Sequence, residues 1–77
     1  MCQIDKIAIA LEVLRDIALD SNRLVAERQR AIDAITLFQA SAMDTLDYIN
    51  RKTDLDILKE RSRLYMARIK SGAVLQF

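Results

Sequence analysis

The sequence predicts an all-α protein: a helical hairpin with a long helix over residues 3–49 and a short one over 54–70. The hairpin is expected to pair as an antiparallel homodimer, giving a four-helix-type bundle. Three observations predict this. The first is a helical seam of two interleaved rows, Ile4, Leu11, Ala18, Val25, Ile32, Gln39, Leu46 and Ile7, Leu14, Ser21, Arg28, Ile35, Ala42, Ile49. Eleven of these fourteen positions are apolar, where a chain that is 52% apolar would place about seven by chance. The second is the absence of proline, with Gly72 the only glycine, so nothing inside the seam breaks a helix outright. The third is a mismatch of lengths. A helix from 4 to 49 would run about 69 Å and the last helix about 26 Å, so folding back covers only part of the apolar surface.

Residues 3–19 read as helix, and their apolar surface is wide. Beyond the seam it includes Ile9, Val13 and Ile17, a second row at i, i+4, i+8. A helix covering one neighbour needs an arc of about 100°; this one offers nearer 180° by the helical step. Ile9, Val13 and Ile17 are therefore candidate oligomer-interface residues, with Arg28 as a charged contact beside them, met by an aspartate of another chain.

Asp20-Ser21-Asn22 leaves two readings open. Their side chains compete for backbone hydrogen bonds, which favours a turn, yet the seam keeps its register across them. A continuous or kinked helix gives the hairpin; a true break gives a monomeric three-helix bundle. Residues 23–49 continue as helix, with Leu24, Ile32, Ile35, Phe38, Ala42, Met43, Leu46 and Ile49 on one face. Leu37 and Tyr48 fall on the polar side, eleven residues apart and so on one line.

Asn50 to Thr53 is the clearest boundary. Asn50 tolerates the left-handed conformation that ends helices. Thr53 is expected to cap the next helix, with Asp56 at the return position and Asp54 also in the first turn. Residues 54–70 carry the stripe Leu55, Leu58, Ser62, Tyr65, Met66, Ile69, and Gly72 suits the position past the end. The tail 73–77 is apolar and is expected to pack back on the bundle or to be presented as a peptide. The whole of 1–77 reads as one domain.

Composition narrows the function. A core of this size supplies roughly 3–5 kcal/mol net, so small domains rely on staples, metals or partners. Cys2 is the only cysteine and there is no histidine, so neither a disulfide framework nor a metal site is expected. The same absence removes the usual general acid or base, and the serines have no base to activate them. A single glycine cannot build a phosphate loop. The chain reads as non-enzymatic and cofactor-free. With no membrane span and no secretory leader it reads as cytoplasmic.

Charge is split along the chain. Residues 1–50 carry five basic and eight acidic side chains, a balance of −3; residues 51–77 carry seven basic and three acidic, a balance of +4. The two parts can attract each other within one chain or between two. The basic side chains of the last helix could follow a nucleic-acid backbone. Lys59, Arg63 and Lys70 form the basic line, with Arg61 and Arg68 on its flank; no aromatic residue interleaves with that line and the net charge is only +1, so a small nucleic-acid-binding regulator is the weaker alternative.

Ile57 and Leu64 lie seven residues apart, away from the last helix's main stripe, with Arg61 and Arg68 on their flank. Together with Leu37 and Tyr48 these six are candidate residues for binding a protein target. Ser21, Arg28 and Gln39 are the polar members of the seam. Such residues either fix register and partner number, or Ser21 marks a turn and Arg28 snorkels to the surface.

The size, the helical-hairpin pattern and the apolar C-terminus resemble the needle subunits of type III secretion systems. The resemblance implies a filament subunit. The proline-containing turn common in that family is missing between the helices, and no motif carries over. The principal expectation is an adaptor or inhibitor that associates with itself and occupies a surface on another protein.

Overall fold

The computed structural model describes residues 6–72. Over that span the chain forms helices α1 (Lys6–Leu19), α2 (Val25–Thr36), α3 (Met43–Lys52) and α4 (Asp56–Ser71), with a 3₁₀ turn, Gln39–Ala42, leading into α3. The protein is all-α, but the expected long helix over 3–49 is interrupted twice. Ile4 and the apolar tail 73–77 lie outside the described residues.

The first interruption falls at Asp20-Ser21-Asn22. Asp20 Oδ1 accepts from the Asn22 N–H at 3.0 Å, and the Arg23 N–H donates to Asp20 O at 3.1 Å. These local bonds replace the helical ones. The chain re-enters a helix at Leu24, an extended residue (φ −62, ψ 145) at the N-cap of α2. Leucine has no side-chain acceptor, so only half of a capping box forms: Glu27 Oε1 accepts from the Leu24 N–H at 3.2 Å.

The second interruption was not visible in the seam's register. Leu37 and Phe38 N–H groups bond back to Ala34 and Ile35 carbonyls, both at 3.1 Å, tightening the last turn of α2. Gln39 then adopts a left-handed φ of 53, which costs a non-glycine residue about 1–2 kcal/mol. It is held there because its neighbours are fixed: Phe38 packs half-buried against the core and Ala42 is fully buried.

The third boundary falls later than expected. Asn50 sits inside α3, which runs on to Lys52 and ends at Thr53 in extended conformation. Thr53 does not cap α4. Its hydroxyl faces the Leu55 N–H across 3.4 Å, and the N-cap of α4 is Leu55, which offers no side-chain oxygen. Asp56 lies in the first turn, where the helix dipole favours it, but Asp54 lies outside the helix. Gly72 ends α4 at φ 76, its N–H bonded to Ile69 O at 3.1 Å.

The helices pack as two hairpins, α1 with α2 and α3 with α4, laid together so that α1 touches α3 and α2 touches α4. The core comprises Leu11, Ala18, Ala31, Ile32, Ile35, Ala42, Leu46, Ile49, Leu58 and Tyr65, with Leu14, Ile17, Leu19, Phe38, Leu55, Met66 and Ile69 around it. Most seam residues are thus buried by the chain's own folding. Among the described residues, the exposed exceptions are Ser21 and Val25 at the first break, Gln39 in the second, and Ile7 near the start of α1, which is 48% exposed. Ser62, on the α4 stripe, is fully buried with no partner for its hydroxyl.

Candidate functional site

Two breaks let one copy cover most of its seam, but they leave Ile9 and Val13 of the second row of α1 outside, while Ile17 packs at the edge of the core. Val13 points away from the core, and Ile9 and Ile17 lie about 40° to either side of it by the helical step. Ile9 is 50% exposed and Val13 53%; Ile17 is half-buried. Two open depressions border this row. One, of about 250 Å³, is lined by Val13, Asp16, Ile17, Asp20 and Arg23. The other, of about 330 Å³, lies between α1 and α2 and is lined by Leu14, Ile17, Arg23, Glu27, Arg30 and Ala31. Ile17 and Arg23 border both. Arg23 is held by Asp20 at 3.5 Å and Glu27 at 3.7 Å. Its border position depends on the first break, which periodicity left open.

Arg28 is placed differently from the expected interface contact. Its side chain is 3% exposed and takes its partners from its own chain. Nε donates to Ala18 O at 2.8 Å, and Nη2 donates to Asp54 Oδ1 at 2.8 Å. Ala18 O is one of the last four carbonyls of α1, which lack helical donors. A guanidinium there satisfies the group and the negative helix end together. The hydrogen bond from Arg28 is the main cause that holds the Asp54 carboxyl below its ordinary 3.8. Arg28 thus joins the end of α1, the body of α2 and the turn before α4.

Arg61 is likewise engaged within the chain. Its Nε and Nη2 donate to Asp33 Oδ1 and Oδ2 at 2.8 and 3.0 Å, a bidentate pair between α4 and α2. The Tyr65 hydroxyl donates to Asp33 Oδ1 at 2.6 Å, and Arg61 stands 5.7 Å from the Tyr65 ring centre. Burial pushes the Asp33 carboxyl up, but the hydrogen bonds from Arg61 and Tyr65 and the Arg61 charge outweigh it, leaving it below 3.8. Burial, then the Asp33 bond, push the Tyr65 hydroxyl above its ordinary 10.0.

Of the other expected partner-binding residues, Ile57, Leu64 and Arg68 are exposed and share the outer face of α4 with the half-buried Arg61. Leu37 and Tyr48 do not share a line, because the second break separates them. Leu37 is exposed in the turn after α2, while Tyr48 is on α3 with the Arg15 guanidinium 5.2 Å above its ring.

Among the described residues no cluster of three or more cysteine, aspartate or glutamate side chains could hold a metal ion, and no helix is long and apolar enough to cross a membrane. No protein-family model matches the sequence, and neither curated proteins nor solved structures give a match.

Proposed function

We propose that the protein is a non-enzymatic binding unit, an adaptor or inhibitor, that works by presenting the outer face of α1 to another polypeptide. One observation carries the reading: Ile9 and Val13 stand half in solvent, aligned with Ile17 and beside two open depressions. The three residues span about 12 Å of helix. Covering the exposed parts of Ile9 and Val13 is worth about 1 kcal/mol each. A contiguous apolar surface rimmed by polar residues is the usual mark of a contact site, whereas singly scattered apolar residues are ordinary.

A second reading, a subunit of a larger assembly, is favoured by the second apolar row on α4, where Ile57 and Leu64 are 51% and 50% exposed. Two unlike faces on one chain permit head-to-tail growth. Electron microscopy of concentrated protein tests it: fibres support this reading, and a discrete small species rejects it.

The binding reading is tested with a photoreactive phenylalanine analogue at Val13 in the native host, against the same residue at the exposed Lys52. A light-dependent polypeptide adduct specific to position 13 is expected. The absence of any adduct there would overturn the proposal.

A further inference from the structure

We infer that the occupant of the α1 face is the same face of a second copy, lying antiparallel with the two-fold axis at Val13. The inference rests on the binding reading above and adds the partner and its register.

The argument is a palindrome of chemistry about one residue. With about 100° per residue, only Lys6, Ile9, Ile17 and Asp20 among residues 6–20 lie within about 40° of Val13. Asp20 is the first residue beyond α1, and its N–H still bonds to Ile17 O at 3.2 Å. Ile9 and Ile17 stand four residues to either side of Val13, and Lys6 and Asp20 seven. An antiparallel pair centred on Val13 sets Ile9 against Ile17 of the second copy and Val13 against Val13. It also sets Lys6 against Asp20, and symmetry repeats each contact. Apolar meets apolar at the centre, and at each end Lys6 meets an Asp20 that also faces Arg23 of its own chain at 3.5 Å, so one carboxylate is shared by two cations. A parallel pair would set Lys6 on Lys6 and Asp20 on Asp20, which repels.

Shape agrees with charge. The depression of about 250 Å³ beside Val13 and Ile17 opens where the second copy's Ile9 would arrive. It exceeds the roughly 150 Å³ that admits benzene in an engineered cavity. Ala10 and Asp16, three residues from Val13 on either side, oppose each other at the edge, so the small side chain makes room for the carboxylate. A pair of helices about 22 Å long falls at the low end of specific interfaces, so the dimer exchanges with monomer and is best read by trapping.

The test uses the full chain with its one native thiol removed, Cys2→Ser. Val13→Cys places a thiol on the axis, where a symmetric disulfide closes if the Cα atoms approach within about 4.4–6.8 Å. Under mild oxidation Val13→Cys is expected to form a dimer faster than Ile7→Cys or Ile57→Cys. Lys6→Glu in the same chain is expected to slow trapping about fivefold by reversing both end pairs. Adding Asp20→Lys restores the rate where circular dichroism shows the helices intact; the Lys6→Glu comparison decides the matter without it. Equal or slower trapping at Val13, or no effect of Lys6→Glu, overturns the inference. If trapping fails while photo-crosslinking at position 13 yields a different polypeptide, the second-copy partner is wrong and the binding face stands. If both fail, both readings fall.

Discussion

Replacing Arg28 with alanine is the sharpest test of how this small chain stays folded. The guanidinium is nearly inaccessible and makes two hydrogen bonds at 2.8 Å. Its loss strips the donor from Ala18 O, on a residue with no solvent exposure. An unsatisfied buried acceptor costs about 1–3 kcal/mol, and the lost packing of the arginine stem adds roughly another 1 kcal/mol. Asp54 is more than half exposed and is rehydrated by water, so the pair itself adds little. The expected loss is about 2–4 kcal/mol, a large share of what a domain of this size holds. At roughly 4–8 °C per kcal/mol the melting temperature should fall by about 8–32 °C. Urea titration followed by circular dichroism reads the change directly. Asp54→Asn should cost less than Arg28→Ala, and Arg28→Lys should fall between, since an ammonium cannot reproduce the fork. A loss under about 0.5 kcal/mol for Arg28→Ala would refute the role given to this residue, as would Asp54→Asn matching it.

Acid should weaken the fold in a defined window. Asp33 and Asp54 are held below 3.8 when folded, so the unfolded chain binds more protons there. Their contribution is complete above that value and is lost as pH falls beneath it. Urea midpoints should hold near neutrality and drop below about pH 4, and Asp33→Asn should flatten part of that slope; an unchanged slope would contradict the ion pair. At neutral pH Asp33→Asn should also cost about 1–2 kcal/mol, discounted for partial exposure. Ser62→Ala removes a buried hydroxyl without a partner and should raise stability by about 1 kcal/mol; a lower urea midpoint would show that the hydroxyl has a hidden partner. Leu24→Ser supplies the missing N-cap oxygen to α2 from a residue 71% exposed, with an expected gain of about 0.5–1 kcal/mol in the same titration. Gln39→Gly relieves the left-handed residue, for a net gain of about 0.5–1 kcal/mol after the added chain entropy; a loss would mean that the Gln39 side chain makes a contact worth more than the strain.

Periodicity located the burial better than the boundaries. Leu11, Ala18, Ile32, Ile35, Ala42, Leu46 and Ile49 lie on the seam and are buried, and Leu58, Ser62 and Tyr65 lie on the last stripe and are buried. Heptad spacing survives a change of direction when each segment turns the same stripe inward, so the register hid two reversals. The polar seam members carried the missing signal: Ser21 and Gln39 lie in the two breaks, and Arg28 forms the internal clasp. Arg28 could not be read as a clasp because its acceptor is a backbone carbonyl and its carboxylate is 26 residues away. The outward row of Ile9 and Val13 was legible because an arc wider than one neighbour needs shows in the spacing alone. Glu27, three residues after Leu24, was the readable trace of the start of α2. It is easily passed over when the cap itself is leucine.

The clasp also limits how the chain can be divided. Arg28 belongs to the first hairpin, and one of its two acceptors belongs to the turn within the second. Severed near Gln39, the first piece would keep a cation shaped for a pocket it no longer has, and the second an aspartate without its counter-ion. Neither piece is then an autonomous module. A split or a circular permutation opened between the hairpins is the rearrangement this architecture tolerates least.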